Sequence, residues 1–317
     1  MARVSVIIPT YNRAHIVREA VDSVLAQTYR DFEIIVVDDA SSDATRSALE
    51  SYQGKIQAIF CETNGGAGAA RNVGIRASSG EFVAFLDADD LYLPTRLETA
   101  VEALDGHPEY GAVYAEVRFT DPSGKQAPFL WVDRMGGGRS GWIFEEVLLR
   151  GIICTQSITV RRSILDRVGP FDVTLRSGQD WDLWWRIARV TQIGYLDEVV
   201  CTYRITPDGL SRMGVAAAES WVCRDRKALA TFIDLTPRQK RLLHLRLYRD
   251  LRYQALYLAA QSRPREARAS SREALRVALS AKLWGPALKA VAGLVTGERS
   301  SLWAQALRAR NYAEGGR

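Results

Sequence analysis

Short apolar runs that stop at polar residues, each followed by a stretch of helical spacing, recur through the first 110 residues and restrict this part of the chain to an α/β layer architecture. The first run, Val4-Ser5-Val6-Ile7-Ile8, is rich in β-branched residues and closes on Pro9. Residues 33–37 form the second and end at Asp38-Asp39; residues 56–60 form the third; residues 81–86 form the fourth and end in Asp87-Ala88-Asp89-Asp90. Runs this short, bounded by turn residues, read as buried strands. Helices are predicted over 14–27, from the cap candidates Ser41-Ser42-Asp43 toward Tyr52, from a Gly-rich loop at 65 through 77, and from Pro94 to 104. The alternation implies a parallel sheet with helices on both faces, and in such sheets ligands sit beyond the carboxyl ends of the strands. Pro9-Thr10-Tyr11, Asp38-Asp39 and residues 87–90 all fall at such ends.

The acidic end of the fourth run is the most chemically loaded point. Three carboxylates lie within four residues. Packed so closely, ionised carboxylates repel one another and resist losing water. A hard divalent cation relieves both effects, and aspartates two apart can offer it oxygens while leaving coordination positions for phosphate and water.

After residue 111 the pattern is mixed. Residues 112–119 and 157–160 read as strands, 121–141 as a loop around Gly136-Gly137-Gly138, and 179–188 as a helix entered from Ser177-Gly178. From residue 215 the sequence is largely helical. The chain of 317 residues is 47% hydrophobic and 25% charged, enough for one large domain plus an extension. Its net charge of +5 conceals a split: residues 215–317 carry 20 Lys+Arg and 8 Asp+Glu, net +12, so the preceding part carries −7. A basic tail suits anionic lipid, nucleic acid or an acidic substrate, or else a solvated helical face. Leu243, Leu247, Leu251 and Leu258 form an apolar stripe in it, with Leu242, Leu245 and Leu256 off the stripe; Trp284, Leu288, Val291 and Val295 form a second. These helices are read as a cap on the main domain, a homodimer contact, or a face for an anionic membrane surface. No apolar run reaches the roughly 20 residues that span a bilayer. The N-terminus has no signal-like apolar stretch, and the four cysteines lack Cys-x-x-Cys spacing, so a cytoplasmic protein with free thiols is expected, peripheral on the inner face of the membrane if the tail binds lipid.

Other chemistries are poorly served. There is no Gly-x-Ser-x-Gly, and His15, His107 and His244 are isolated. The segment Gly65-Gly66-Ala67-Gly68-Ala69-Ala70-Arg71-Asn72-Val73-Gly74 lacks the Gly-Lys-Ser/Thr of a P-loop and follows the third strand, where a dinucleotide fingerprint would follow the first. Taken alone it is as readily a structural loop. Asp180 at a helix start suits a general base open to a cleft, or a helix cap; Asp182 can pair with Arg186; Trp181 and Trp185, one turn apart, suit sugar stacking or core packing.

Together these segments resemble family 2 glycosyltransferases of the GT-A fold, over roughly residues 4–212. The opening Val-Ser-Val-Ile-Ile-Pro-Thr-Tyr-Asn-Arg, then Val36-Val37-Asp38-Asp39-Ala40-Ser41-Ser42-Asp43, Ala69-Ala70-Arg71-Asn72-Val73-Gly74, Leu86-Asp87-Ala88-Asp89-Asp90, and Gly169-Pro170-Phe171-Asp172 followed by Gln179-Asp180-Trp181-Asp182-Leu183-Trp184 occur in the family's order. The resemblance implies a GT-A domain over 1–214, with a nucleotide-sugar half to about 110 and an acceptor half beyond, and a helical extension over 215–317. It implies an inverting transfer of one sugar from a nucleoside-diphosphate sugar, UDP-sugar favoured, to a glycan or lipid-linked acceptor in cell-surface polysaccharide or glycolipid synthesis. Pro9, Thr10, Tyr11, Arg13, Asp39, Arg71 and Asp87 would bind the nucleotide. Asp89, with Asp87, would hold Mg²⁺ or Mn²⁺. Asp180 would be the base, and Trp181, Asp182 and Trp185 would lie on the acceptor side. The long membrane segments and Gln-x-x-Arg-Trp of processive members do not occur, which points to single transfers, and no nucleic-acid partner is implied. Two positions depart: Gln179 stands where the family often has Glu, and Thr206 where many relatives carry a His able to join the metal. The remaining readings are a sugar-phosphate nucleotidyltransferase, which would need a Gly- and Arg-rich turn where Pro9-Thr10-Tyr11-Asn12-Arg13 stands, and a non-catalytic sugar-nucleotide scaffold.

Overall fold

The computed structural model describes residues 2–121, 124–205 and 214–283. They form two compact units, residues up to 174 with 179–205, and residues 175–178 with 214–283.

The first unit runs β1 (Val4–Thr10), α1 (Val17–Leu25), β2 (Phe32–Asp38), α2 (Thr45–Glu50), β3 (Gln57–Phe60), α3 (Ala67–Ala77), β4 (Phe82–Phe85), β5 (Leu91–Tyr92), α4 (Arg96–Gly106), β6 (Tyr110–Thr120), β7 (Gln126–Leu130), α5 (Trp131–Arg134), α6 (Phe144–Arg150), a 3₁₀ turn (Thr155–Ser157), β8 (Thr159–Arg161), α7 (Arg162–Val168), α8 (Gln179–Ala188) and β9 (Gln192–Arg204). Its nine strands make one sheet in the order β3-β2-β1-β4-β8-β6-β9-β5, with β7 added to β6. The four strands read as parallel pair in parallel, Thr10 opposite Asp38, Asp38 opposite Phe60 and Ile7 opposite Phe85. Beyond them β8 runs antiparallel to both β4 and β6, while β6 and β9 are parallel. The sheet is thus mainly parallel, with β8, β5 and β7 as its antiparallel strands.

The period of two in the strands sorts side chains between faces. Val4, Val6, Ile8, Ile34 and Val36 join Val17, Ala20, Val21 and Val24 of α1 in one core. Ile35 and Val37 turn to the other face, against Ala70 of α3. Gly74 lets α3 come this close: a Cβ there would collide with the Ile7 side chain.

Two sequence expectations change. Residues 121–141 are not simply loop, since β7 and α5 lie within them. The buried Glu116 of β6 makes α5 possible by accepting from the backbone N–H of Val132 (2.7 Å) and Asp133 (3.0 Å), a cap supplied from another element. The second is the alternative reading of the basic tail as a solvated helical face, which does not hold at Arg224 and Arg246, both buried.

The second unit is a three-helix array, α9 (Val215–Thr231), α10 (Pro237–Ala260) and α11 (Pro264–Ser280). Thr236 caps α10 in a reciprocal box with Gln239, and Pro237 takes the first turn. The expected stripe Leu243, Leu247, Leu251 and Leu258 is buried. Arg224 donates to Asp225 (2.7 Å) and Asp250 (2.8 Å) inside this core, and Arg246 lies within 4 Å of both acids, so the charges are enclosed as a balanced set. The expected second stripe, Trp284 to Val295, lies outside the described residues.

Candidate active site

The carboxyl ends of β1, β2 and β4 converge on one edge. After β1 the chain turns through Tyr11, which is exposed, and Asn12, which adopts a positive φ of 51°. Asn12 is knitted to the turn after β2: its N–H donates to Ser41 Oγ (2.8 Å) and its Oδ1 accepts from the Ser42 N–H (2.8 Å). The Arg13 N–H donates to Thr45 Oγ1, which fixes the backbone of the next predicted residue. Asp39 donates its N–H to the Thr10 carbonyl (2.9 Å), and Ala40 follows at φ 63°, a left-handed conformation that alanine adopts rarely. Pro9 and Thr10 are buried beneath this turn.

Helix α3 ties the other groups together. Asp39 accepts from the N–H groups of Gly65 (2.9 Å) and Gly66 (2.7 Å), just ahead of the helix. Gly66 has φ 85°, which suits glycine. One turn into α3, Arg71 donates to Asp87 Oδ1 at 2.5 Å, with its guanidinium over the Phe171 ring at 5.5 Å. Asn72 clasps the same Phe171 from both sides of its backbone, Nδ2 to the carbonyl (2.9 Å) and Oδ1 from the N–H (2.8 Å). At Gly68, a Cβ would stand 3.2 Å from the Gln179 side chain, so α3 and the start of α8 meet there.

The acidic loop is held from β9. The Arg204 N–H donates to Asp90 Oδ1 (2.8 Å), and its guanidinium donates to the Asp89 carbonyl and to Glu19. Asp90 points inward and is buried, while Asp87 and Asp89 stay partly exposed. Burial, then the charges of Asp89 and Asp87, pushes the Asp90 carboxyl well above the usual carboxylate range.

Asp180 opens α8 and is partly exposed. Its Oδ2 accepts from Thr155 Oγ1 at 3.3 Å, and its Oδ1 from the Trp181 N–H at 2.9 Å. The neighbouring Cys154 thiol is raised well above its usual value by burial, then by Cys201, Asp90 and Asp180. Asp182 and Trp185, expected on the acceptor side, are closed off instead. Asp182 is 2% exposed and pairs with Arg186 at 2.9 Å; Trp185 is fully buried with its indole N–H toward the Val147 carbonyl. Trp181 is partly exposed and packs against Gly151. Thr206 lies outside the described residues.

Several buried polar atoms at this edge have no protein partner: Thr10 Oγ1, Arg71 Nε, Asp90 Oδ2 and Arg204 Nη2. Unfilled hydrogen-bonding capacity in one region marks a place for a polar ligand. Among the described residues no three His, Cys, Asp or Glu side chains come together as a metal cage. Two partly exposed aspartates fit a small hard cation that takes the rest of its oxygens from a bound diphosphate and water.

The sequence model for Glycosyl transferase family 2 matches residues 5–169, about half of the chain. The chain belongs to that family. It is 36% identical over 203 residues to an uncharacterized glycosyltransferase, RT0329, of Rickettsia typhi, covering 64% of each chain. It is 28% identical over 211 residues to the Escherichia coli UDP-Glc:alpha-D-GlcNAc-diphosphoundecaprenol beta-1,3-glucosyltransferase WfgD, covering 66% of this chain and 79% of that one. The structure of Staphylococcus aureus TarS 1–349 in complex with UDP-GlcNAc superposes with a TM-score of 0.64 at 22% identity, over 87% of this family member and 81% of TarS 1–349. The chain spans 64%, 29% and 34% of the lengths of three Rickettsia relatives. Among the described residues no helix is long and apolar enough to cross a membrane.

Proposed function

We propose that this family 2 member transfers one sugar, with inversion, from a nucleoside-diphosphate sugar to a hydroxyl acceptor. The observation that carries the reading is the reach of a single helix: α3 bears Arg71 on Asp87, receives Asp39 at its entrance and packs Gly68 on the residue before Asp180. In this reading α3 joins the nucleotide end, the diphosphate end and the base.

Tyr11 and the turn behind it, with Pro9, Thr10 and Arg13, border the nucleoside, and Asp39 faces its base. Asp87 and Asp89 hold Mg²⁺ or Mn²⁺, which when bound stabilises the negative charge of the departing diphosphate. Arg71 adds fixed positive charge beside the same oxygens and needs no reorganisation during the reaction. Asp180 takes the proton of the acceptor hydroxyl as that oxygen attacks the anomeric carbon from the face opposite the diphosphate. Trp181, partly exposed beside Asp180, is the acceptor-side aromatic this reading keeps. A uridine donor is favoured because TarS was crystallised with UDP-GlcNAc and WfgD is named for UDP-Glc. The lipid-linked acceptor in WfgD's name supports an acceptor of that kind, in polysaccharide or glycolipid assembly.

The test is Asp180→Asn. Transfer should fall by roughly three orders of magnitude or more, while stabilisation by UDP and Mn²⁺ in a thermal melt persists. Near-normal transfer by that variant removes Asp180 as the base; no cation-dependent turnover of any nucleotide sugar by the wild type leaves a binding scaffold.

A further inference from the structure

The outward face of α11 carries Arg265, Arg268, Arg272 and Arg276, all exposed, at spacings of 3, 4 and 4. On an α-helix these positions share one arc of roughly 80°, opposite the buried Ala267, Ser270, Ala274 and Ala278. No acid lies on that arc. The two glutamates of α11 sit to its side and are engaged elsewhere, Glu266 with Arg263 and Glu273 with Arg226.

The stripe runs toward one end of the helical unit. Val215, Leu258 and Ala267 cluster at the opposite end, where α9 begins, α10 ends and α11 begins. The Arg241 guanidinium donates to the Lys282 carbonyl, which brings the start of α10 to the finish of α11. The α9–α10 turn is therefore at this same end. There two large apolar side chains face solvent, Ile233 at 93% and Leu279 at 47% exposure. Exposed Arg238, Lys240, Arg241 and Lys282 lie at this same end, with Asp234 as the acid on the turn.

We propose that this face is a docking surface for an anionic phospholipid bilayer, with the arginines on headgroup phosphates and Ile233 and Leu279 entering the acyl boundary. Cations on one helical arc bordered by exposed aliphatic side chains complement a negatively charged, apolar-backed plane. A single-stranded nucleic acid would offer phosphates to the arginines, but its bases are gripped by aromatic stacking rather than by aliphatic side chains. The proposal does not depend on glycosyl transfer, because vesicle binding requires no turnover.

The experiment is co-sedimentation of the full chain with phosphatidylglycerol-rich vesicles, with pure phosphatidylcholine vesicles, and with single-stranded RNA as competitor. Binding is expected to the anionic vesicles alone and to weaken as salt is raised. Replacing the four arginines together (R265Q, R268Q, R272Q, R276Q) should lower partitioning roughly a thousandfold, and Ile233→Ser roughly tenfold. Both variants change exposed side chains, and unchanged circular dichroism and donor-dependent activity are expected. Wild-type binding that ignores salt, equal binding by the arginine variant, no binding to anionic vesicles, or RNA that outcompetes them would each overturn the proposal. If the arginine variant misfolds, the salt and lipid dependence of the wild type decides alone.

Discussion

Arg71 and Asp87 are joined at 2.5 Å across sixteen residues of sequence, with Arg71 nearly enclosed and Asp87 still open to solvent. The pair anchors the acidic loop to α3 and leaves the second Asp87 oxygen for other partners. Arg71→Met should cost about 2 kcal/mol of stability, since it strips a partly buried carboxylate of its partner. It should also weaken UDP binding in the presence of Mn²⁺. Urea denaturation and a thermal melt with nucleotide read the two effects separately; a variant as stable as wild type would show that the pair is not structural.

The Asp89 backbone carbonyl accepts from the Arg204 guanidinium, and its side chain stays partly exposed. Truncating the side chain leaves that backbone bond in place. Asp89→Ala should lose most of the extra stabilisation given by UDP with Mn²⁺. An unchanged cation response would take Asp89 out of the ligand set.

Thr155 donates to Asp180 and is itself buried, so it can fix the rotamer of the carboxylate without touching substrate. Thr155→Val keeps the shape and removes the donor. It should lower kcat by roughly tenfold with donor KM unchanged, and Thr155→Ser should restore most of it. Loss confined to KM would point to acceptor contact instead.

Glu33 lies at the far edge of the sheet, where it accepts from Ser5 Oγ (2.7 Å) and from the Ser79 N–H (2.7 Å) and Oγ (3.0 Å). Burial pushes this carboxyl up, but these bonds outweigh it and hold the group below its ordinary 4.5. A carboxylate lowered on folding stabilises the protein above its unfolded pKa and loses that contribution as pH falls through the folded one. Glu33→Gln should thus cost about 1 kcal/mol at neutral pH, and the gap from wild type should close in acid below pH 4.5. Denaturant titrations over that range would show it; a gap constant with pH would mean that the ionised form contributes nothing.

The sequence by itself determined the alternating half of the fold. Runs such as residues 4–8 and 34–37 bury both faces, so their composition alone identifies parallel strands, and polar residues at their ends mark the edge where the candidate site lies. The acids 87–90 and the start of α8 were equally legible, because their chemistry is written in adjacent residues. What only the tertiary structure decided involves partners far apart in the chain: Asn72 gripping Phe171 at a separation of 99, Arg204 holding the acidic loop, Thr155 on Asp180, and Glu116 capping a helix that the local sequence reads as loop. Tertiary packing also turned Asp90, Asp182 and Trp185 inward while Asp87, Asp89 and Asp180 kept access to solvent. Local sequence fixes periodicity and charge, but which of several neighbouring acids faces water depends on the elements that close over them.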